Sequence, residues 1–146
     1  MQRVYSLLVD NNSGVLSRIS GLFTRRGYNI DSITAGVTAD SRFTRITIVS
    51  SGDEIILKPE ESVYRELILV KIRANAQQRS EIVSIADIFR AKIVDAERES
   101  LVIELTGTQS KLEAFLQLLD GYEILELART GIAGLSRGIK DVTFIE

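Results

Sequence analysis

The sequence predicts an α+β protein made of two small units, each a sheet with helices laid on one face. Two observations carry this. Strand-type runs alternate with helix-type stripes in the order β-α-β-β, and after a single proline the order recurs and is completed as β-α-β-β-α-β. The composition is that of a soluble globular protein: 45% of the 146 residues are hydrophobic and 26% charged, enough chain for one ordinary domain or two small ones.

In chain order, residues Arg3–Val9 read as a strand with apolar residues on both faces: Val4, Tyr5, Leu7, Leu8 and Val9. The polar turn Asp10-Asn11-Asn12-Ser13-Gly14 follows. A helix comes next, its stripe Val15, Leu16, Ile19, Leu22 and Phe23 spaced i, i+1, i+4, i+7, i+8. Ser13 is the expected N-cap. Gly27 stops the helix after Arg25 and Arg26, where cations suit the negative end of the helix dipole. Strands near Asn29–Val37 and Arg42–Ser50 complete the first half. In the second of these Phe43, Ile46 and Ile48 mix with Thr44, Arg45 and Thr47, so one face is wet. Residues 51–61 hold the only proline, Pro59, beside Lys58, Glu60 and Glu61, and read as a connection.

The second half opens with a strand at Glu66–Ala74. A helix over Gln77–Arg90 carries the stripe Ile82, Ile85, Ala86 and Phe89. Lys92–Ala96 and Leu101–Thr106 are strands around the polar turn 97–100. Ser110 to Glu113 reads as a capping box opening a second helix, with stripe Leu112, Phe115, Leu116 and Leu119. Asp120-Gly121 ends it, and Glu123–Ala128 is the last strand. This order is a ferredoxin-like split β-α-β unit. The predicted organisation is residues 1–58 as the first domain, 59–65 as linker and 66–146 as the second domain. The first half lacks a second helix by comparison; only Asp53–Leu57 remains, enough for a strand.

Charge and composition exclude several functions. Eighteen Lys and Arg against twenty Asp and Glu give a net charge of −2, so no basic surface suits nucleic acid. No apolar run approaches the roughly 20 residues of a membrane span, and no signal-peptide core is present, so a cytoplasmic location without membrane attachment is expected. With no Cys and no His, the chain has no disulfide, thiol nucleophile, imidazole base or nitrogen–sulfur metal site. No metal site and no catalytic residue is expected.

The turn Asn11–Gly14 lies between a strand end and a helix start. A helix N-terminus offers free amides and partial positive charge, which favour a carboxylate. Gly14 lets a ligand approach the backbone, and Asn11 offers both a donor and an acceptor. On these residues alone an ordinary capped turn is the favoured reading, because Asn, Ser and Gly are ordinary turn residues. The second strand begins Gly27-Tyr28-Asn29-Ile30-Asp31, and Asn29, expected beside the same sheet end, is a second residue able to face a ligand.

Taken together, these pieces resemble a known family. The carrying residues are Asn12-Ser13-Gly14-Val15-Leu16-Ser17-Arg18, then 21–32 (Gly21-Leu22-Phe23-Thr24-Arg25-Arg26-Gly27-Tyr28-Asn29-Ile30-Asp31-Ser32), Arg45–Ile48, Arg65–Lys71, Ile88–Asp95, Glu104–Gly107, Lys111–Phe115 and the closing block Ala128–Gly138, which begins Ala-Arg-Thr-Gly. The first half resembles an ACT domain, a small-molecule-sensing β-α-β-β-α-β module. The whole chain, in order, is similar to the regulatory small subunits of acetohydroxyacid synthase, also called acetolactate synthase.

The resemblance implies a non-catalytic homodimer that binds and stimulates the catalytic large subunit. It also implies feedback inhibition by a branched-chain amino acid, valine foremost. Thiamine diphosphate, FAD and magnesium are then expected in the partner and no cofactor in this chain. The implied effector site lies between paired ACT domains. Asn11, Gly14, Val15 and Leu16 would hold the effector from one chain, and Asn29 and Ile30 would close it from the other. Ser13 and Ser17 would support the loop.

Family members usually carry a helix and a strand where this sequence passes from Ser51-Gly52-Asp53 to Leu57–Ser62, a shortfall of roughly 20–25 residues at ordinary element lengths. Two readings stand: a stretch left out of the sequence, favoured because losing a helix would expose a sheet face, or a truncated domain. Other functions compete as well. A free-standing ACT sensor for another enzyme would not carry the Arg129–Gly138 block. A small hydrolase of the acylphosphatase kind, built on Asn11 and Arg18, has no paired nucleophile and base.

Overall fold

The structure, a computed structural model, describes residues 2–51 and 59–139. The chain divides into two compact units: Met1–Tyr64 with Gly131–Glu146, and Arg65–Thr130.

The first unit begins with β1 (Gln2–Asp10), α1 (Val15–Arg25), β2 (Asn29–Val37) and β3 (Phe43–Ser51), and its sheet has the order β1-β3-β2. Both neighbours run antiparallel to β3, so β1 and β2 are parallel, as a β-α-β crossover requires. One face carries Tyr5, Leu7, Val9, Ile46 and Ile48, and α1 lays Ile19 on it, with Val15, Phe23 and Ile30 alongside. The helix stops at Gly27 in a Schellman arrangement: φ is +74°, the Tyr28 amide donates to the Phe23 carbonyl at 3.0 Å, and Gly27 donates to Thr24 at 3.1 Å. The Phe23 ring stands edge-on to Tyr5 at 5.3 Å and to Tyr28 at 6.2 Å. Among the described residues this unit has one α-helix. The expected strand at 53–57 lies outside the described residues.

The second unit is complete. Its elements are β4 (Ser62–Arg73, whose first three residues belong to the first unit), α2 (Ala76–Phe89), β5 (Lys92–Ala96), β6 (Ser100–Gly107), α3 (Gln109–Leu118) and β7 (Ile124–Arg129). The strand order is β5-β6-β4-β7. Ile68, Val70 and Ile72 of β4 and Leu101, Ile103 and Leu105 of β6 face Ile82 and Ala86 of α2 and Leu112 and Phe115 of α3, all buried. Both helices are capped by side chains. Asn75 and Gln78 form a reciprocal capping box, and Thr108 accepts from the Lys111 amide. The α3 cap is therefore Thr108, not the expected Ser110; extended backbone and a hydroxyl at Thr108 start the helix two residues earlier.

The boundaries differ from those read in the sequence. Residues 59–61, expected as linker, form a 3-10 turn, and β4 starts at Ser62. Gly131 onward, expected in the second domain, returns to the first unit as a segment containing β8 (Ala133–Ser136), which pairs with β4. The cause is apolar packing: Ile132 joins Val4, Val49 and Tyr64 on the sheet face opposite α1.

Candidate functional site

The Asn11–Gly14 turn is ordered by backbone and side-chain bonds from Asn11 to the β2–β3 loop and the start of β3. The Asn11 amide nitrogen donates to the Arg42 carbonyl at 2.7 Å, and its Nδ2 donates to the Ser41 carbonyl at 3.0 Å. Thr44 Oγ1 donates to Asn11 Oδ1 at 3.0 Å. That loop is stiffened in turn by Arg42, whose guanidinium grips both oxygens of Asp40 and holds the Asp40 carboxyl below the usual carboxylate range. Asn11 thus spends one donor and one acceptor on the fold and keeps one of each, enough for a polar ligand.

The helix start differs from the expected cap. Gly14, at φ +84° in the left-handed region, occupies the N-cap position of α1, and no side chain caps the helix. Ser13 is not the N-cap: the left-handed turn at Gly14 moves the helix start one residue on. A side chain at Gly14 would meet open space, so backbone conformation, not crowding, demands glycine there. The first-turn amides of Leu16 and Ser17 are the orphans of this geometry. Leu16 is 46% exposed beside them, while Val15 packs inward. Ser17 contributes its carbonyl, which accepts from Ser20 Oγ at 3.0 Å.

Asn29 sits elsewhere. The register aligns Asn29 with Ser51 and Ser51 with Gln2, whereas Asn11 follows the Asp10–Phe43 pair at the other end. Within one chain the two asparagines are therefore separated by the length of β1, about 25–30 Å. The expectation that Asn29 lies beside the same sheet end as Asn11 fails because the crossover through α1 returns the chain to the start of β1. Only two chains could bring the two residues to one ligand. Asn29 Nδ2 donates to Asp31 at 2.9 Å, Ser51 Oγ donates to the same carboxylate at 3.1 Å, and Asp31 bulges out of the β2–β3 ladder. Ile30 is partly buried against the α1 face, and Ile33 and Val37 of β2 are exposed.

Sequence reasoning missed Thr44, Ser41 and Asp31, the partners of the two asparagines. Thr44 becomes a neighbour of Asn11 only once the β1–β3 register is known, and no spacing in the chain announces it. Among the described residues no group of three or more acidic side chains is placed to hold a metal ion, and no helix is long and apolar enough to cross a membrane.

Comparison with known proteins covers both units. A family model for the ACT domain of acetohydroxyacid synthase small subunits matches residues 5–67, and one for the small subunit of acetolactate synthase matches residues 65–138. The chain is 42% identical over 158 aligned positions to the probable acetolactate synthase small subunit of Archaeoglobus fulgidus, covering 96% of this chain and 99% of that one. It is 41% identical over 160 positions to the isozyme 3 small subunit of Escherichia coli, covering 96% and 98%. The crystal structure of the acetolactate synthase small subunit from Thermotoga maritima superposes with a TM-score of 0.86 at 36% identity, over 94% of this chain and 98% of that one. The aligned length of 158 exceeds the 146 residues here, so the Archaeoglobus relative carries residues without a counterpart in this chain.

Proposed function

The chain belongs to the family of acetolactate synthase small subunits, and from that premise we propose that it is the non-catalytic regulator of a thiamine-diphosphate-dependent acetolactate synthase. It binds and stimulates the catalytic subunit and makes that subunit sensitive to valine. The FAD, thiamine diphosphate and magnesium chemistry belongs to the partner.

The observation that carries the effector reading is the uncapped start of α1 at Gly14, in a chain that caps α2 and α3 with side chains. A carboxylate placed there takes the amides of Leu16 and Ser17 and is favoured by the helix dipole. Asn11 offers its remaining acceptor to the ammonium group, and the exposed Leu16 offers apolar surface to a branched side chain. Asn29 and Ile30 of a second chain complete the site, which makes the homodimer part of the mechanism. An effector that spans two chains favours one dimer arrangement, by a coupling of about 1–3 kcal/mol.

The test is reconstitution: acetolactate formation by the catalytic subunit, measured with and without this chain and with and without valine. Stimulation with valine inhibition is expected; the absence of both effects refutes the proposal. Calorimetric titration of valine into Asn11→Ala places the site. Affinity is expected to fall about tenfold, equivalent to about 1.4 kcal/mol, and wild-type affinity would move the site elsewhere.

A further inference from the structure

The sheet face of the first unit opposite α1 is lined by small hydroxylated residues. Ser32 and Thr34 of β2 stand across from Val49 and Thr47 of β3 in the register. The segment entering this unit at Gly131 lies on them. Gly131 has φ +80°, and a Cβ there would fall 2.9 Å from Ser32 Cβ and 3.1 Å from its Oγ. Thr34 Oγ1 donates to the Ile132 carbonyl at 3.5 Å, and the Gly134 amide donates to the buried Thr47 Oγ1 at 3.4 Å. Both of these hydrogen bonds are long, and the close approach of the segment to β2 is one that only glycine permits at Gly131.

This segment leaves the second unit directly. Arg129 grips the buried Glu66 carboxylate with two bonds of 2.8 and 2.9 Å, and the Thr130 amide donates to the Leu67 carbonyl at 3.1 Å. The closing Ala-Arg-Thr-Gly block is thus an anchor in one unit followed, one peptide bond later, by an anchor on β2 in the other. β2 begins with Asn29, Ile30 and the Asp31 bulge, and Ser32 is the first residue after the bulge to pair again. The strap therefore grips β2 directly after the bulge that separates the gripped stretch from Asn29 and Ile30.

We infer that residues 131–134 are a strap on β2, with Gly131 as its positioning residue, and that the strap sets how far effector binding is converted into inhibition. The coupling half of this inference rests on the regulatory reading above; the strap itself does not.

The test uses the full chain, alone and with the catalytic subunit, in wild type, Gly131→Ala and the near-isosteric Thr47→Val, which removes the acceptor of the Gly134 amide. Hydrogen exchange reads the strap. Amides of β2 after the bulge are expected to exchange about fivefold faster or more in Gly131→Ala, as a local opening. Titration and assay read the coupling: valine affinity within about twofold of wild type, stimulation retained, and maximal inhibition at saturating valine reduced at least about twofold. Unchanged β2 exchange overturns the strap, and faster exchange with undiminished inhibition overturns its regulatory role. A wild type that binds no valine refutes the regulatory reading instead, and β2 exchange then decides the strap alone. If Gly131→Ala does not fold, Thr47→Val carries the same readouts.

Discussion

Two helices in this chain begin at the same place in the same plan, at the end of a unit's first strand, and they begin differently. α2 starts from Asn75, whose side chain takes the Gln78 amide at 2.8 Å while Gln78 returns a bond of 3.2 Å to Asn75. α1 starts from Gly14 in a left-handed conformation with no capping side chain. The cores differ in the same sense. Every member of the second unit's cluster is buried to 2% exposure or less, whereas Tyr5, Val9 and Ile19 in the first keep 6–9% and α1 leaves Leu16 and Leu22 half exposed. The second unit caps both of its helices with side chains and covers one face of its sheet with them, while Leu69, Val94, Leu125 and Leu127 of its strands stay exposed. The first has one described helix, and that helix starts without a capping side chain. By helix starts and core exposure, one chain thus holds a closed and an open version of the same arrangement, and the proposed effector site lies in the open one.

The largest expected effect tests the closed unit. Phe115 is fully buried and meets Phe89 edge-on at 5.4 Å. Phe115→Ala is expected to cost about 3–5 kcal/mol, against under about 1 kcal/mol for Leu22→Ala, which removes a half-exposed side chain. Denaturant melts of the two variants check this. Equal losses would mean that the first unit is as tightly packed as the second, and the comparison would break.

Much of this contrast is legible in the sequence, and the part that is not has a physical reason. The stripes Ile82, Ile85, Ala86, Phe89 and Leu112, Phe115, Leu116, Leu119 announce the two helices of the second unit, because burial imposes a period of 3.6 on them. β2 and β5 fall where strand propensity and flanking turns place them. The turn at Asn11–Gly14 is legible as a helix start, but its cap is not: serine is the commoner cap, and only the backbone angle at Gly14 shows that the chain uses glycine. The placing of Asn29 fails for a topological reason, since a residue at a strand start reveals its sheet end only after the crossover is traced. The return of residues 131–136 to the first unit is a long-range contact of five small or apolar residues and one serine, with no local period to betray it.

The two helix starts give the next prediction. Asn75→Ala removes both halves of a capping box and is expected to cost about 1 kcal/mol. Ser13→Ala, at the serine that sequence logic offers as a cap, removes no capping bond and is expected to change stability by less than about 0.5 kcal/mol. Thermal melts distinguish them. A destabilisation by Ser13→Ala as large as that by Asn75→Ala would show that α1 is capped by Ser13 in solution, and the argument for a vacant anion site at Gly14 would lose its footing.

The smallest effect concerns two exposed ion pairs. Arg42 lowers the Asp40 carboxyl from its ordinary value in the first unit, and Lys71 lowers Glu126 in the second. In both cases the folded chain favours the charged form. The contribution to stability is therefore present above the ordinary carboxylate range and is lost as pH falls through the lowered folded values. Both pairs are open to water, so screening leaves little of it, and neither Asp40→Asn nor Glu126→Gln is expected to move the melting temperature at neutral pH. Their effect on ligand is expected to differ. Asp40 holds Arg42, the Arg42 carbonyl accepts the Asn11 amide, and the adjacent Ser41 carbonyl accepts Asn11 Nδ2, so loosening that loop disturbs a proposed effector residue. Glu126 bridges β7 to β4 in the closed unit and touches no such residue. Valine affinity should fall about twofold in Asp40→Asn, on the scale of a weakened hydrogen bond, and stay at the wild-type value in Glu126→Gln. Equal affinities in the two variants would show that the loop from Thr38 to Arg42 does not position Asn11, and the open unit would then owe its ligand site to Gly14 and the helix terminus alone.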